Sequence, residues 1–485
     1  MNRAVRVLPS PIVAVATALA AVLIMAALVS GLFDPDYFWH LATGRLILAT
    51  ASIPTADPFS FSWNGRPWIP DQWLGDLVIA WLIDNLGVGI ALVTFGAIAG
   101  SAFIILAFAL QRRVSTGAFI SAAVLPGLVC LSLVTVRPQV LSWSLLAAVL
   151  GLLMTAGLGT ERRLVLLPPL FLLWANLHGL YVVGLGIGFV YLVATLLGRT
   201  PMAHARVVVL VVAVVSLFAV MITPSGPAGM LYSLSFADAT DWGARNIAEW
   251  QSPNFHDPVT LPLLMLIAGL IANGARGAPG WVTTVSLVGV VLGLSAVRNA
   301  PVAAILALPA LALGIEDRLR RWRRPSTRIA DSKIRARRYV DIASALIVAV
   351  AAIGVGVAHA RTSDQPAADR FPVASVEILR NRLPAVHVLA SYGWGGYVLE
   401  ELYPAGGRVF VDGRMHKYAR DVIDDYQAIV DAEPRWQERI RRYDVDALLL
   451  TPSMTLARGP ARAAGWCEVY RDSVQVLLLR ACDGA

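Results

Sequence analysis

Asp34 and Asp36 flank Pro35, so two carboxylates fall within three residues, and His40 follows one helical turn later. Such a pair can ligate a divalent cation, Mg or Mn, or one member can act as a general base toward a hydroxyl. Asp also suits the capping of a helix that begins just downstream, and both readings stay open. Arg298-Asn299 and Arg137-Pro138-Gln139 supply fixed cations, whose natural partner is a phosphate gripped bidentately by guanidinium. Pairing of either Arg with Asp36 or Glu249 is the structural alternative. The stretch Trp174-Ala-Asn176-Leu-His178-Gly179 adds an amide and an imidazole, suited to orienting a substrate or phosphate, or to satisfying the backbone.

The elements that hold these residues are apolar. Of 485 residues, 57% are hydrophobic and only 15% charged, and the mean hydropathy is +0.65. That balance excludes a disordered chain, a collagen, a disulfide scaffold and an ordinary cytosolic enzyme, and points to a polytopic α-helical membrane protein. The net charge of +8 lies in short stretches between apolar segments, where it orients helices rather than binding nucleic acid.

About eleven transmembrane helices are expected: Ile12–Leu32, Gly87–Leu110, Thr116–Thr135, Val140–Gly157, a pair within Leu164–Leu197, Val207–Ile222, Val259–Ala275, Trp281–Val297, Ala300–Ile315 and Val340–Ala358. With the N-terminus cytoplasmic, Arg112, Arg113, Arg162, Arg163, Arg199, Arg206, Arg276 and the Arg318–Arg338 cluster all fall inside, as the positive-inside rule requires. Reading Leu164–Leu197 as one helix would place that cluster outside, so two spans are needed there. Residues 1–360 then form the membrane domain, with a first outer loop, 33–86, carrying two interfacial helices. In the second of these, Leu74, Leu77, Val78, Trp81 and Leu82 make one apolar stripe.

Residues 361–485 read as a small extracytoplasmic α/β domain, with strands at His387–Ser391, Arg408–Val411, Ala447–Leu450, Cys467–Tyr470 and Val474–Leu479. A turn at Asp472–Ser473 sets Cys467 opposite Leu478, about four residues from Cys482, so these two cysteines are expected to stay unpaired. Outer tryptophans, including Trp39, Trp68, Trp242 and Trp250, fit an aromatic belt. This topology puts Asp34, Asp36, His40, Arg137, Asn176, His178, Glu249, Arg298 and Asn299 at outer helix ends or in outer loops. Ionisable groups beside lipid are costly and tend to pair or line a pathway, so a shared outward-facing hydrated cavity is expected.

Asp34-Pro-Asp-Tyr-Phe-Trp-His-Leu-Ala-Thr-Gly-Arg45, Ile53-Pro-Thr-Ala-Asp-Pro-Phe-Ser60 and Gly65-Arg-Pro-Trp68 resemble segments of bacterial multi-spanning proteins related to the GT-C glycosyltransferase superfamily. Trp174–Gly179, Glu249-Trp-Gln-Ser-Pro253, Arg298-Asn-Ala-Pro301 and Val411-Asp-Gly-Arg414 extend the resemblance over most of the chain. It implies transfer of a sugar from a polyprenyl-phosphate donor in the membrane lipid to a glycan, lipid or protein acceptor on the outer side of the plasma (inner) membrane. It also implies that an acidic residue of the first outer loop supports catalysis, often with a divalent metal. That role falls here on Asp36 or Asp34.

The substrate and lipid-phosphate contacts are expected from His40, Arg137, Asn176, His178, Glu249, Arg298 and Asn299. The small outer domain departs from the superfamily pattern. Alternative readings are a transporter or flippase of a lipid-linked substrate, a non-catalytic envelope assembly protein, and a metal-independent ligase that uses His and Arg. Transport without new glycosidic bonds, dispensability of the polar cluster, and insensitivity to chelator would mark these in turn.

Overall fold

The computed structural model describes residues 10–157, 159–235, 245–273, 276–322, 331–361 and 367–480. Trp242, Cys482 and part of the Arg-rich connection (323–330) lie outside them. Ser10 opens α1 (Pro11–Ser30): its hydroxyl accepts the Val13 N–H, and Pro11 needs no partner for a missing donor. Next come α2 (Asp36–Thr50) and α3 (Trp73–Leu110), the latter interrupted at Gly87, where φ is 80° and ψ 166°. That left-handed φ suits glycine, and it separates an interfacial-length section from a membrane-length one.

Then follow α4 (Thr116–Leu131), α5 (Pro138–Thr155), α6 (Leu167–Leu177), α7 (Tyr181–Leu196) and α8 (Arg206–Ala219), and helices at Leu261–Asn273, Gly280–Ser295, Ala300–Trp322 and Asp331–Ala358. Every expected apolar segment therefore contains a helix. Among the described residues, five are long and apolar enough to cross a membrane: Pro11–Ser30, Trp73–Leu110, Pro138–Thr155, Val297–Trp322 and Tyr339–Ala358. The stretch Leu164–Leu197 is two helices, as the charge parity requires, with a 3-10 turn at Glu161–Leu166 leading into the first.

The chain divides into two compact units, described separately. One comprises Met1–Gly31, Gly89–Leu234 and Gly243–Thr362. Its centre is the helix Ala300–Trp322, buried continuously from Ala300 to Gly314. Small residues let helices approach closely where no hydrophobic drive separates lipid from protein. Ala14, Ala18 and Ala21 of α1 meet Ala345, Ala349 and Ala352. A Cβ at Gly96 would come within 2.7 Å of the Ile24 Cα.

The other unit comprises Leu32–Val88, Ser235–Trp242 and Ser363–Ala485. Its five-stranded sheet consists of β1 (His387–Ala390), β2 (Arg408–Val409), β3 (Ala447–Leu450), β4 (Cys467–Arg471) and β5 (Val476–Leu479), in the order β2-β1-β3-β5-β4. The first three strands are parallel, and β5 runs antiparallel to both β3 and β4. β3 and β5 are buried on both faces, which explains their unbroken Ala-Leu-Leu-Leu and Val-Leu-Leu-Leu runs. The segment between α2 and α3 extends this sheet beyond β2: the Phe61 N–H donates to the Val409 carbonyl at 3.0 Å, and the Val409 N–H donates to the Phe59 carbonyl.

One expectation needs correction. Cys467 is disulfide-bonded: the turn between β4 and β5 is longer than expected, pairing Arg471 with Val476, and after a bulge between Glu468 and Tyr470 Cys467 lies opposite Leu479 rather than Leu478, one residue further along β5. In the first section of α3, Gly75, Asp76, Ile79, Ala80, Leu82 and Ile83 are buried, Leu74, Leu77 and Val78 are half-buried and Trp81 is 48% exposed, so the apolar stripe is only partly covered.

Candidate active site

Asp34 closes a local turn before α2. Its Oδ1 accepts the Asp36 N–H at 3.0 Å and its carbonyl accepts the Tyr37 N–H. The capping role left open by the sequence thus belongs to Asp34, which is buried, while Asp36 stands half-buried on the first turn of α2. Carboxylate at a helix N-terminus is favoured by the unpaired N–H groups there. Two glycines make room for this turn. A Cβ on Gly396 would lie 2.9 Å from the Pro35 carbonyl oxygen; one on Gly413 would collide with the Asp36 carboxylate and sit 2.6 Å from the Trp39 Nε1. The Gly-rich segment 392–397 and the Asp-Gly-Arg turn are therefore the seat of α2. The indole N–H of Trp39, 6% exposed, has no acceptor among the described residues.

One turn further on, the His40 Nδ1 lies 2.6 Å from the Asp76 Oδ1, both side chains buried. Gly44 makes this possible: a Cβ there would strike the Asp76 carbonyl and come within 2.6 Å of the Ala80 Cβ, so α2 and the first section of α3 cross almost backbone to backbone. The carboxylate fixes the imidazole orientation. At the far end of α2, Arg45 bridges Asp84 and Glu400.

Behind the glycine seat lies a wholly buried ionic quartet. Arg414 pairs with Asp412 at 2.6 Å and with Asp57 at 3.1 Å, and the Lys417 Nζ is 2.7 Å from Asp57. The Tyr418 hydroxyl donates to Asp412 at 2.9 Å. The Arg414 guanidinium lies 4.4 Å from the Trp68 ring centroid and 4.8 Å from that of Phe59. Burial would raise the Asp412 carboxyl, but Arg414 and then Lys417 outweigh it and hold the group well below the usual carboxylate range. Burial and the neighbouring Arg414 bring Lys417 down to about 8, against the pull of Asp412 and Asp57. Asp57, Phe59, Trp68, Asp412 and Arg414 come from three separate segments of the sequence resemblance, so those segments recur here as one packing unit.

The second unit assembles the cationic candidates. Arg137, at the start of α5, forms a two-point pair with Glu249 at 2.7 and 3.2 Å. Arg298 approaches the same carboxylate at 3.7 Å and lies over the Trp250 ring, 4.9 Å from its centroid. Gln139 donates to the Arg298 carbonyl at 2.8 Å. Burial would raise the Glu249 carboxyl, but Arg137 and then Arg298 hold it down at about 2. Two guanidiniums against one carboxylate leave these three groups net positive, the charge a phosphate requires. Asn299 follows in the 3-10 turn Val297–Asn299.

Asn176 and His178 occupy a different place, the junction of α6 and α7. The Asn176 amide donates to the Leu172 and Ile222 carbonyls, and the His178 Nδ1 accepts the Leu180 N–H at 3.1 Å, which puts the neutral ring's proton on Nε2. Asp34, Asp36 and His40 belong to one compact unit, and the other six candidates to its counterpart.

Among the described residues no three His, Cys, Asp or Glu side chains group to hold a metal ion. Asp34 directs one oxygen to a backbone N–H, and two carboxylates supply only part of the oxygen shell that Mg or Mn requires, so Asp34 and Asp36 do not by themselves build a cation site. Sequence reasoning missed Asp76, Lys417 and the role of Trp39. Nothing in the spacing pairs His40 with a residue 36 positions away, although an Asp within an apolar helix was a signal that something had to meet it.

No protein-family model matches the chain, and no characterised protein matches it in sequence. Solved structures do match in fold. ArnT from Cupriavidus metallidurans bound to undecaprenyl phosphate is 14% identical, with a TM-score of 0.54 over 96% of this chain and 98% of that one. The Archaeoglobus fulgidus oligosaccharyltransferase tethered to an acceptor peptide is 15% identical, with a TM-score of 0.53 over 89% and 68%. The archaeal oligosaccharyltransferase AglB from the same organism, in complex with an inhibitory peptide and a dolichol-phosphate, is 14% identical, with a TM-score of 0.50 over 89% and 69%. At these identities the likeness is one of fold, and this chain shares the fold of ArnT and of the archaeal oligosaccharyltransferase.

Proposed function

We propose that the protein is a membrane glycosyltransferase that moves a sugar from a polyprenyl-phosphate donor to an acceptor on the extracytoplasmic side of the plasma membrane. The observation that carries this reading is a GT-C-like fold in which a half-buried carboxylate, Asp36, opens the first helix after α1. ArnT with undecaprenyl phosphate and AglB with dolichol-phosphate supply the donor class by fold likeness. The arginine parity of the connections supports eleven spans, a cytoplasmic N-terminus and an outer C-terminal domain.

The acceptor hydroxyl attacks the anomeric carbon while Asp36 takes its proton. The bond from that carbon to the phosphate oxygen breaks, the bonding pair leaves with the lipid phosphate, and configuration inverts. Arg298 and Arg137 stabilise the departing phosphate, a contribution that is commonly the largest in such reactions. Glu249 keeps both guanidiniums in place until the donor arrives. Asp34 and the Asp76-anchored His40 hold the turn that presents Asp36.

The test is formation of a glycosidic bond in proteoliposomes loaded with a polyprenyl-phosphate sugar. Asp36→Asn is expected to lower turnover by about 10²–10⁴-fold, the usual worth of a general base, while the gel-filtration profile stays that of the wild type. Undiminished turnover in that variant, or lipid movement without a new glycosidic bond, contradicts the reading.

A further inference from the structure

A cavity of about 770 Å³ lies between the ends of α3 and α5 and the turn into α6, and none of the candidate site residues lines it. Arg112, Arg113, Arg163 and Thr160 line one part of it, and Phe108 and Leu166 another; among the described residues no carboxylate lines it. Arg113 donates to the Met154 carbonyl at 2.6 Å, the free C-terminal end of α5, and so is anchored in the wall. Arg112 and Arg163, which also line it, are exposed. The apolar wall is open as well: Phe108 is 56% and Leu166 54% exposed.

The cavity therefore joins a cationic rim to apolar surface that faces out of the protein. A free anion would use only the rim and a hydrocarbon only the wall. A diacyl lipid with an anionic head uses both, and basic pockets between helices on the cytoplasmic side have this character. Arg112, Arg113 and Arg163 all belong to connections that the positive-inside rule places on the cytoplasmic face. The opening exists because small side chains line α5 here, Ala148 and Gly151.

We propose that this cavity binds an anionic phospholipid of the inner leaflet, its phosphate between Arg112 and Arg163 and an acyl chain along Phe108 and Leu166. This site is separate from the transfer chemistry and stands whether or not that reading holds.

The test is native mass spectrometry of the full-length protein in detergent, titrated with phosphatidylglycerol or phosphatidylcholine of the same chains. Phosphatidylglycerol is expected to bind on the order of tenfold tighter, and Arg163→Gln to weaken it about fivefold without changing phosphatidylcholine. Arg276→Gln, also on a basic connection but outside the cavity, is expected to leave binding unchanged. Ala148→Phe, which keeps every charge and fills the cavity, is expected to remove the preference. If that variant fails to fold, Arg163→Gln decides alone. Equal affinity for the two lipids, or an Arg163→Gln variant that binds as the wild type does, overturns the proposal. Inorganic phosphate that stabilises the protein as much as phosphatidylglycerol overturns the lipid source and leaves a free-anion site.

Discussion

At the scale of single residues, the two carboxylates of Asp34-Pro-Asp36 divide their work. Asp34 spends an oxygen on the Asp36 N–H, so its amide analogue keeps an acceptor while its alanine variant does not. Asp34→Asn is accordingly expected to keep most of the thermal stability, and Asp34→Ala to lose about 1 kcal/mol, read from melting curves in detergent. This division was beyond the sequence, which offers a cap and a base within three positions and no means of assigning them. Glu249 is a second case. Its spacing showed only an acid near an outer helix end; the structure sets it between Arg137 and Arg298. Its carboxyl falls from 4.5 to about 2 on folding, so its ion pairs contribute fully above pH 4.5 and are lost as pH falls toward 2. The stability gap between wild type and Glu249→Gln is expected to be widest above pH 4.5 and to close on acidification. A gap that is constant down to pH 2 contradicts the pairing.

At the scale of elements, all five strands of the sheet were legible because their hydrophobic runs are bounded by turns. The apolar segments were equally legible from length and charge parity. What the sequence could not show was contact. The stripe Leu74–Leu82 reads as the face of an interfacial helix, but its spacing does not say where α2 packs: that is the face carrying Asp76 and Ala80, which Gly44 lets α2 approach. Gly44→Ala is expected to cost on the order of 1–3 kcal/mol through overpacking and to displace His40 from Asp76. Gly413→Ala is expected to displace Asp36 and Trp39 and so to lower turnover more than stability, as turnover set beside melting temperature would show. Equal effects of the two glycine substitutions on turnover per folded molecule would argue against a special role for the Asp36 turn.

At the scale of the whole molecule, the segment Leu32–Val88 and the C-terminal residues share one compact unit, tied by buried charges. A buried pair adds little compared with apolar packing, but removal of one partner leaves an uncompensated ion and costs about 3–5 kcal/mol. Asp57→Ala is expected to lose that much, and Asp57→Ala combined with Lys417→Met appreciably less than the sum of the two single changes. Additive losses in this double-mutant cycle would mean that the pair is not coupled. The Asp57 and Asp412-Gly-Arg414 segments were recognisable one by one, whereas their convergence was invisible because more than 300 residues separate them. The proposed transfer requires that Arg137 and Arg298 receive the phosphate of a lipid-linked donor, and the most direct measurement is an electron-microscopy map of the protein with polyprenyl phosphate bound. The predicted result is phosphate density within hydrogen-bonding distance of Arg298 or Arg137; phosphate density held by other residues would contradict the proposed function.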